Sequence, residues 1–314
     1  YKKGLVVIKS LIEVPFVGDF SDSLTSNGII ISKAKGLVLC PKKIARIGVS
    51  NIRLTLANAQ ICKGTVIYTD PITPFGIILI DKDCLNKNID DIAEIPLGST
   101  EHGFAAGDPA FLYGINQQNE YVLKGGHITN TDCNNANRYA GMFKFNVETI
   151  GLNPSGAAIF NTNYQCIGIH IVGTESTSYP LKIEYVKSYL EYYLDDKFDG
   201  KDYKRGDIGI SINLLVVGFE KTNYQLPAEV AEEIINSETP SGGAPELMIV
   251  SALSPGFDSA SLVNIGDVIY KLEGVVIANN FIRLDRIINS NVGKEVTLDL
   301  YRKGKLVTVK IKVE

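Results

Sequence analysis

The sequence predicts a mainly β protein, in which an all-β domain is followed by a smaller α+β module. Over residues 1–180, short apolar runs bounded by Gly, Asn, Asp and Pro follow one another closely, with no helical periodicity between them. Closely spaced short strands are typical of a barrel or a sandwich. An amphipathic helix and a polar segment then precede a region with a different order of strands and helices. The predicted domains are therefore residues 1–195 and 205–314, joined by a linker at 196–204.

Each predicted strand of the first domain is an apolar run flanked by turn-forming residues. These runs are residues 4–12 (GLVVIKSLI), 27–32 (NGIIIS), 35–40 (KGLVLC), 52–59 (IRLTLANA), 63–70 (KGTVIYTD), 75–81 (FGIILID) and 109–115 (PAFLYGI). A closing helix is predicted over residues 180–194, where Ile183, Val186 and Leu190 recur at helical spacing. The charged segment DDKFDGKDYKRGD follows it and predicts the linker.

The second region predicts a compact α+β module. Its strands are expected in residues 208–219 (IGISINLLVVGF), 248–256 (MIVSALSPG), 261–274 (SLVNIGDVIYKLEG) and a hairpin at 294–313. Helices are expected near 227–236 (PAEVAEEIIN) and 279–289 (NNFIRLDRIIN), where apolar residues recur every three or four positions.

The charge and hydropathy patterns exclude several classes of partner. The 314 residues carry a formal net charge of −4, and Lys and Arg are interleaved with Asp and Glu. A nucleic-acid partner is therefore not expected. No apolar stretch reaches the roughly 18–20 residues that span a membrane, and no signal-like segment follows Tyr1. We therefore expect a soluble fragment or processed form without a membrane span.

The five cysteines predict neither a metal site nor a redox motif. They show no CxxC pair and no nearby His, and lie at Cys40, Cys62, Cys84, Cys133 and Cys166. Zinc sites and thioredoxin-like motifs need such paired spacings. Several of the cysteines lie in apolar runs, so buried thiols are expected, and the odd number leaves at least one thiol unpaired. No metal and no cofactor is predicted.

The segment GLNPSGAAIF, residues 151–160, is the first candidate for catalytic chemistry. Many serine hydrolases place an activated hydroxyl on a tight turn in which serine is followed by glycine, small residues and an apolar strand. Ser-Gly pairs are also common in turns without a catalytic role. Ser155 is therefore a candidate nucleophile, and an ordinary turn is the alternative.

The segment LMIVSALSPGFDSASLVNIGDVIYKLEGVVI, residues 247–277, resembles the PDZ domains attached to HtrA (Deg) proteases. The resemblance implies that RGDIGI, residues 205–210, is a carboxylate-binding loop. In such a loop the N–H groups of Ile208, Gly209 and Ile210 hold the C-terminus of a peptide. Asp207 replaces the usual apolar or aromatic residue, and its charge should weaken binding of a carboxylate. A module that packs on its neighbour and binds no peptide is the alternative.

The first domain resembles the HtrA protease domain in both of its halves. Residues 27–81 resemble the N-terminal barrel, from the G-x-x-I strand to the D-P-x-T segment and the apolar strand after it. The segments GDPAFLYGI, GGHITNTD and LNPSGAAIFNTNYQCIGIHIVG resemble the second barrel. The resemblance covers nearly the whole chain and implies a trypsin-like double β-barrel followed by an α+β PDZ domain.

Two of the three catalytic positions implied by this resemblance carry other residue types. The family's T-N-x-H-V-φ motif aligns with Cys-Pro-Lys-Lys-Ile-Ala and puts Lys43 at the histidine position. Its D-x-x-x-D motif puts Pro74 at the aspartate position, and only Ser155 keeps its type. A lysine with an ordinary pKa near 10.4 is protonated at neutral pH and is no base unless burial lowers that pKa. Proline offers no side-chain acceptor to orient a base.

The oxyanion hole is altered as well. The family's G-N-S-G becomes Asn-Pro-Ser-Gly, so the implied donors are the N–H groups of Asn153 and Ser155. Pro154 restricts the residue before it toward extended conformations, so a competent hole is not expected.

The three histidines offer no clear replacement for the missing base. His102 lies in the loop STEHGFAAGD and His127 in the strand-like GGHITN, where surface or packed roles are usual. His170 lies in IGIHIVG, after the candidate serine, where it could line a former specificity pocket.

The altered segments resemble the second, inactive protease-like module of the HtrA branch with two protease modules and several PDZ domains per chain. KGLVLC, NIRLTLANAQICKGTVIYTDP and FNVETIGLNPSGAAIFN carry this resemblance. It implies a scaffolding or regulatory module that binds protein C-termini or extended segments, with an active protease module or further copies of itself as partners. The family uses both the bacterial periplasm and intracellular compartments such as the nucleus, and the sequence does not choose between them.

Three functions are compatible with these residues. The substitutions favour an inactive protease homologue that acts as a binding module. A serine endopeptidase with a Ser155–Lys43 dyad would need a neutral Lys43 whose Nζ lies within hydrogen-bond reach of Ser155 Oγ. A purely structural module would have both candidate sites occluded.

Overall fold

The computed structural model describes residues 1–12, 23–45, 50–101, 104–133, 142–148, 153–194, 203, 205–216, 224–236, 246–277 and 280–314. The chain divides into two compact units, residues 1–130 with 142–191 and residues 131–141 with 192–314. Of the predicted linker 196–204, only Tyr203 is among the described residues. The predicted domain boundaries therefore stay predictions.

A closed six-stranded barrel forms the first half of the first unit. Its strands are β1 (Leu5–Ile12), β2 (Ser23–Ser32), β3 (Leu37–Pro41), β4 (Ser50–Thr55), β5 (Ile61–Thr69) and β6 (Phe75–Ile80). They follow the order β1-β2-β3-β6-β5-β4 around an apolar core that includes Ile30, Val38 and Ile78. Burying each such side chain contributes about 1.5–3 kcal/mol. A short helix, α1 (Lys82–Lys87), follows, and the Asp81 carboxylate caps it by accepting a hydrogen bond from the Cys84 N–H.

A second closed six-stranded barrel completes the first unit. Its strands are β7 (Pro109–Ile115), β8 (Tyr121–Cys133), β9 (Met142–Val147), β10 (Ala158–Phe160), β11 (Cys166–Gly173) and β12 (Thr177–Lys182), in the order β10-β11-β12-β9-β8-β7. Phe143, Phe145 and Ile159 lie in its core. The helix α2 (Glu184–Leu194) follows β12. The buried Glu184 carboxylate accepts a hydrogen bond from the Thr100 hydroxyl at 2.7 Å and so ties the start of the helix to the chain before β7.

These two barrels confirm the prediction of a mainly β first domain. They also show that its architecture is a barrel and not a sandwich. Their arrangement, two closed six-stranded barrels in succession, is that of a trypsin-like double barrel. The helix predicted from residue 180 begins instead at Glu184. The reason is that residues up to Lys182 belong to β12, where Pro180 pairs with His170 of β11.

The second unit is built on one antiparallel sheet with helices beside it. The strands are β13 (Ile210–Val216), β14 (Glu246–Leu253), β15 (Val268–Leu272), β16 (Val275–Val276), β17 (Glu295–Arg302) and β18 (Lys305–Lys312). The helices are α3 (Ala228–Asn236), α4 (Ser259–Leu262) and α5 (Phe281–Ser290). The sheet order is β13-β14-β15-β17-β18, with β16 paired to β15.

Alternation along β14 explains how this sheet carries helices on both faces. Met248 packs in the cluster that includes Leu284 of α5, whereas its neighbour Leu247 packs in the cluster that includes Ile234 of α3. The α+β composition of this region therefore follows from a strand whose two faces are both apolar.

A disulfide between Cys62 and Cys84 corrects the expectation that these cysteines are buried thiols. The fold places α1 beside β5 and brings the two Cα atoms to 5.7 Å, within the usual disulfide range. No local spacing in the sequence indicates the pair, because its members meet only through the barrel topology. Cys40 and Cys166 are buried thiols as expected, and burial raises the pKa of both.

We expect the Cys62→Ala/Cys84→Ala double variant to lower the free energy of unfolding of the first unit by about 3 kcal/mol. The disulfide joins residues 22 positions apart and so restricts the unfolded chain. Urea unfolding with and without dithiothreitol checks this. The reductant should destabilise the wild type and a Cys133→Ser control but not the double variant, and equal responses of all three would contradict the prediction.

Candidate functional site

The turn that carries Ser155 is clamped by strand β2 of the first barrel. It precedes β10 and is closed by a hydrogen bond from the Ala157 N–H to the Pro154 carbonyl at 3.1 Å. The Ser155 carbonyl accepts hydrogen bonds from the main-chain N–H of Asn27 at 2.8 Å and from its side-chain amide at 3.0 Å. The Ser26 hydroxyl donates a third, also at 3.0 Å. The backbone of the turn is therefore fixed by donors from the other barrel.

The Ser155 hydroxyl meets another hydroxyl rather than a base. Ser155 Oγ lies 3.1 Å from Ser26 Oγ, within hydrogen-bond distance. Within the described part of the chain, no histidine, carboxylate or amine hydrogen-bonds to Ser155 Oγ. A serine hydroxyl needs a positioned base to take its proton near neutral pH, and a second hydroxyl cannot do so. The described hydrogen-bond partner of Ser155 Oγ is therefore not a base.

Lys43 lies in the turn after β3 and is exposed. Neighbouring atoms partly desolvate its amine and lower the lysine pKa below its ordinary value. The residue nevertheless remains in contact with water. Among the described residues, Lys43 makes no hydrogen bond to Ser155.

Pro74 lies beside the lysine turn. Its carbonyl accepts a hydrogen bond from the Lys42 N–H at 2.9 Å, which brings positions 43 and 74 to the same end of the first barrel. The buried carboxylate on this loop, Asp70, accepts hydrogen bonds from the Thr73 N–H at 2.6 Å and the Tyr68 hydroxyl at 2.7 Å. Asp70 therefore helps to hold its own loop.

Asn153 bridges two parts of the second barrel with its side chain. Its amide donates a hydrogen bond to the Thr174 carbonyl at 3.0 Å, and its Oδ1 accepts one from Lys124 Nζ at 3.2 Å. Lys124 is buried in β8. Desolvation lowers its pKa, and the negative charge of Glu175 partly opposes that shift. Residues 151–152 lie outside the described residues, and the expectation that Asn153 and Ser155 form no competent oxyanion hole stays a prediction.

His170 is a buried, neutral histidine beside the candidate turn. Its main-chain carbonyl accepts a hydrogen bond from the Gly156 N–H at 2.9 Å, and its Nδ1 lies 2.6 Å from Ser178 Oγ. Burial first, and then the positive charges of Lys43 and Lys124, lower its pKa to about 3. The imidazole therefore stays unprotonated near neutral pH and is engaged with Ser178. His127 is exposed, and the predicted His102 lies outside the described residues.

Sequence reasoning missed four polar residues around this turn, namely Ser26, Asn27, Lys124 and Ser178. Lys124 did carry a signal, because it lies on the inward face of β8, four residues before the buried Ile128. The other three give no local signal, since they reach the site through the packing of separate strands.

The predicted carboxylate-binding loop of the second unit is satisfied by its own groups. The Gly209 N–H donates a hydrogen bond to Asp207 Oδ1 at 2.8 Å. The main chain of Asp207 exchanges two hydrogen bonds with that of Glu314, at 2.9 and 3.0 Å. Ile208 is buried in the core of the unit, and Ile210 begins β13. A peptide-binding role for residues 208–210 stays a prediction.

No metal cluster and no membrane helix occur in the described ranges. No three His, Cys, Asp or Glu side chains there are grouped so that they could hold a metal ion. No helix there is long and apolar enough to cross a membrane.

Curated fungal proteins match nearly the whole chain. The pro-apoptotic serine protease NMA111 of Lodderomyces elongisporus is 23% identical over 98% of this chain and 32% of its own length. The protein of the same name from Pyricularia oryzae is 25% identical over 94% of this chain and 28% of its own length. The chain thus spans about a third of the length of these relatives. No protein-family model matches the chain.

Solved structures of HtrA-type proteases share the fold. The HtrA-type protease AlgW with a tripeptide has a TM-score of 0.66 at 16% identity and covers 99% of this chain and 93% of its own. The serine endoprotease from Yersinia pestis has a TM-score of 0.57 at 17% identity and covers 99% of this chain and 94% of its own. At these identities the likeness establishes the fold, and the chemistry has to be judged from the residues themselves.

We expect Gly156→Ala to destabilise the first unit by about 2–4 kcal/mol. Gly156 has a φ of +73°, and an added Cβ would lie 2.1 Å from the Asn27 carbonyl oxygen. Gly107→Ala is the matched control, since Gly107 has a φ of +97° with nothing within 4 Å of its Cβ position. Gly107→Ala should lower the free energy of unfolding by only about 1 kcal/mol, because it introduces backbone strain without a steric clash. Urea unfolding measures both, and equal losses would show that the turn is not tightly clamped.

We expect His170→Gln to reduce the acid sensitivity of the first unit. The folded-state pKa of about 3 lies below the ordinary value of 6.5, so stability falls as pH decreases from 6.5 toward 3. Between pH 6.5 and about pH 4.5, the free energy of unfolding of the wild type should fall by about 2 kcal/mol more than that of the variant. The variant has no imidazole that could gain a proton. Urea unfolding at several pH values tests this, with exposed His127→Gln as the control. Parallel profiles for the wild type and His170→Gln would refute it.

Proposed function

The chain is a homologue of the HtrA (Deg) family of serine proteases, and from that premise we propose that it is a catalytically inactive protease homologue. It acts as a protein-binding, scaffolding or regulatory module. The observation that carries this proposal is the environment of Ser155 Oγ, which lies within hydrogen-bond distance of Ser26 Oγ and makes no hydrogen bond to a base among the described residues.

The chemistry of the substituted positions supports loss of activity. A general base contributes about 10²- to 10⁴-fold to the rate of such a reaction. An oxyanion-hole donor contributes a further 10²- to 10³-fold or so. In this chain the family's histidine position holds Lys43 and its aspartate position holds Pro74. His170 does not replace the base, because its lowered pKa leaves it a weak acceptor of protons.

The extent of the match with the fungal relatives supports a role within a larger assembly. Their length is about three times the part that this chain matches. We therefore take the chain to correspond to one inactive protease-like module with its PDZ domain, as in the tandem-module branch of the family. An active protease module, in the same polypeptide or in another one, is the proposed partner, and self-assembly is the other proposed arrangement.

The PDZ assignment for residues 205–314 is part of this proposal. Its support is the order of strands and helices, the RGDIGI segment whose last residue begins β13, and the placement of α5 against the core of the sheet. The domain limits proposed with it are residues 1–195, the linker 196–204 and residues 205–314. An added peptide strand is expected to pair with β13, which stands at one end of the strand order among the described residues.

A second candidate function is a serine endopeptidase that uses a Ser155–Lys43 dyad. The observation in its favour is the lowered pKa of Lys43, since a less basic amine is easier to deprotonate. The exposure of Lys43 and its lack of a hydrogen bond to Ser155 weigh against this candidate.

We expect no labelling of the folded chain by a fluorophosphonate probe, because the probe reacts with activated serines and Ser155 lacks a base. The measurement compares the wild type with Ser155→Ala, Lys43→Ala and Lys42→Ala across the neutral pH range, with circular dichroism to verify folding. Lys42→Ala is the matched control, since Lys42 lies next to Lys43 and donates its Nζ hydrogen bond to Pro71 instead. Labelling that is lost in Ser155→Ala and Lys43→Ala but kept in Lys42→Ala would establish the dyad and overturn the proposal.

A further inference from the structure

The disulfide between Cys62 and Cys84 joins a short helix to the first barrel. Cys62 lies on β5 and is 1% exposed, whereas Cys84 lies in α1 and is half-buried. The helix has only six residues, and helices of that length are not stable alone in water. α1 therefore depends on its attachments to the barrel.

Apart from the disulfide, α1 has one buried side chain. Leu85 packs beside the turn at Gly36, where an added Cβ would lie 2.8 Å from Leu85 Cδ2. The remaining side chains of α1 are exposed, namely Lys82, Asp83, Asn86 and Lys87. Without the disulfide, a single buried side chain would hold the middle of the helix against the barrel.

The hydrogen bonds of this segment secure its two ends. The Asp81 N–H donates to the Lys63 carbonyl at 2.9 Å, just before the helix begins. At the other end, the Asn88 side chain donates to the Cys84 carbonyl at 2.8 Å and accepts from Asn58 Nδ2 at 2.9 Å. These bonds lie outside the buried contact of α1, so opening of the helix between them needs no change elsewhere in the barrel.

The barrel itself closes without α1. All six strands pair with two neighbours in the closed order β1-β2-β3-β6-β5-β4. Cys62 pairs with Leu54 of β4, and β5 pairs with β6 from Gly64 onward. Loss of the disulfide and of the contacts of α1 therefore leaves each strand pair in place.

The sulfur of Cys84 has a hydrogen-bond donor beside it. Asn88 Nδ2 donates to Cys84 Sγ at 3.6 Å. A donor to sulfur favours the charged thiolate over the neutral thiol, and a more stable thiolate is a better leaving group in thiol–disulfide exchange. Cys84 is also the more exposed member of the pair, so both access and local polarity distinguish it from Cys62.

We propose that Cys84 is a site of reversible thiol–disulfide exchange, at which a dithiol reductant opens the disulfide and frees α1 while the first barrel stays folded. The inference goes beyond the proposed binding function and does not depend on it.

The exchange proceeds in two steps. A thiolate of the reductant attacks Cys84 Sγ, because Cys62 is the less exposed member of the pair. The Cys62–Cys84 bond breaks, a mixed disulfide forms on Cys84, and Cys62 leaves as a thiolate that takes up a proton. The second thiol of the reductant loses its proton and attacks the reductant sulfur of the mixed disulfide. This releases Cys84 as a thiolate and leaves the reductant as an intramolecular disulfide.

Hydrogen exchange measured by mass spectrometry on the whole chain tests the proposal. Reduction with dithiothreitol should speed the exchange of peptides from residues 82–88 by about tenfold or more, because α1 opens locally. Peptides from β3 should change by less than about twofold, since that strand keeps both of its neighbours. Reoxidation with oxidised glutathione should restore the slow exchange of α1.

Two variants serve as controls in the same measurement. Cys62→Ala/Cys84→Ala should show fast exchange of α1 with and without dithiothreitol. Cys133→Ser, which removes a cysteine outside the disulfide, should respond as the wild type does.

Thiol labelling of the reduced, folded chain gives an independent readout. Cys84 should react with N-ethylmaleimide at least about tenfold faster than Cys40 and Cys166. Those two thiols are buried, and burial raises the pKa of both.

Each of three results would overturn the inference. Dithiothreitol could fail to reduce the disulfide in the folded chain, which would show that Cys84 is not accessible to a reductant. The exchange of α1 could stay slow after complete reduction, which would show that the helix is held without the disulfide. Peptides from β3 could accelerate as much as those from α1, which would show that the whole barrel loosens.

Discussion

Asn27 is the residue on which the geometry of the candidate site depends. Its main-chain N–H and its side-chain amide both donate to the Ser155 carbonyl. The same side chain accepts a hydrogen bond from the Ile115 N–H at 2.7 Å and donates one to the Ile115 carbonyl at 3.0 Å. Asn27 is 3% exposed, and hydrogen bonds left unmade in so dry a place are costly. One residue of β2 thus positions both the end of β7 and the turn before β10.

The charges around His170 differ from those around the histidine of a working triad. A triad pairs a histidine with a carboxylate, which stabilises the imidazolium as the serine loses its proton. Here the charges that act on His170 are the ammonium groups of Lys43 and Lys124, and they oppose its protonation. His170 is therefore held in an electrostatic environment opposite to that of a triad histidine.

The strands, the closing helix and the α+β character of the second unit could be predicted because apolar periodicity is a local property. Cys62 and Cys84 could not be paired from sequence, since their meeting depends on how β5 and α1 lie in the closed barrel. The sequence identified Asp207 as an unusual residue, but only the structure shows where its carboxylate points. The roles of Ser26 and Asn27 could not be predicted for a similar reason, because their hydrogen-bond partners are more than 85 residues away in the chain.

The hydrogen bonds from Ser26 and Asn27 hold the main-chain carbonyl of residue 155, and any amino acid at that position would supply such a carbonyl. The same packing leaves room for only a glycine at position 156. A Ser-Gly pair in this fold can therefore persist for reasons of shape, with the serine hydroxyl accommodated by a neighbouring hydroxyl. Recognition of a hydrolase by its nucleophile motif alone would assign this chain to the active proteases. In this chain the motif fixes how the turn before β10 meets β2, and activity has to be judged from what lies around the hydroxyl.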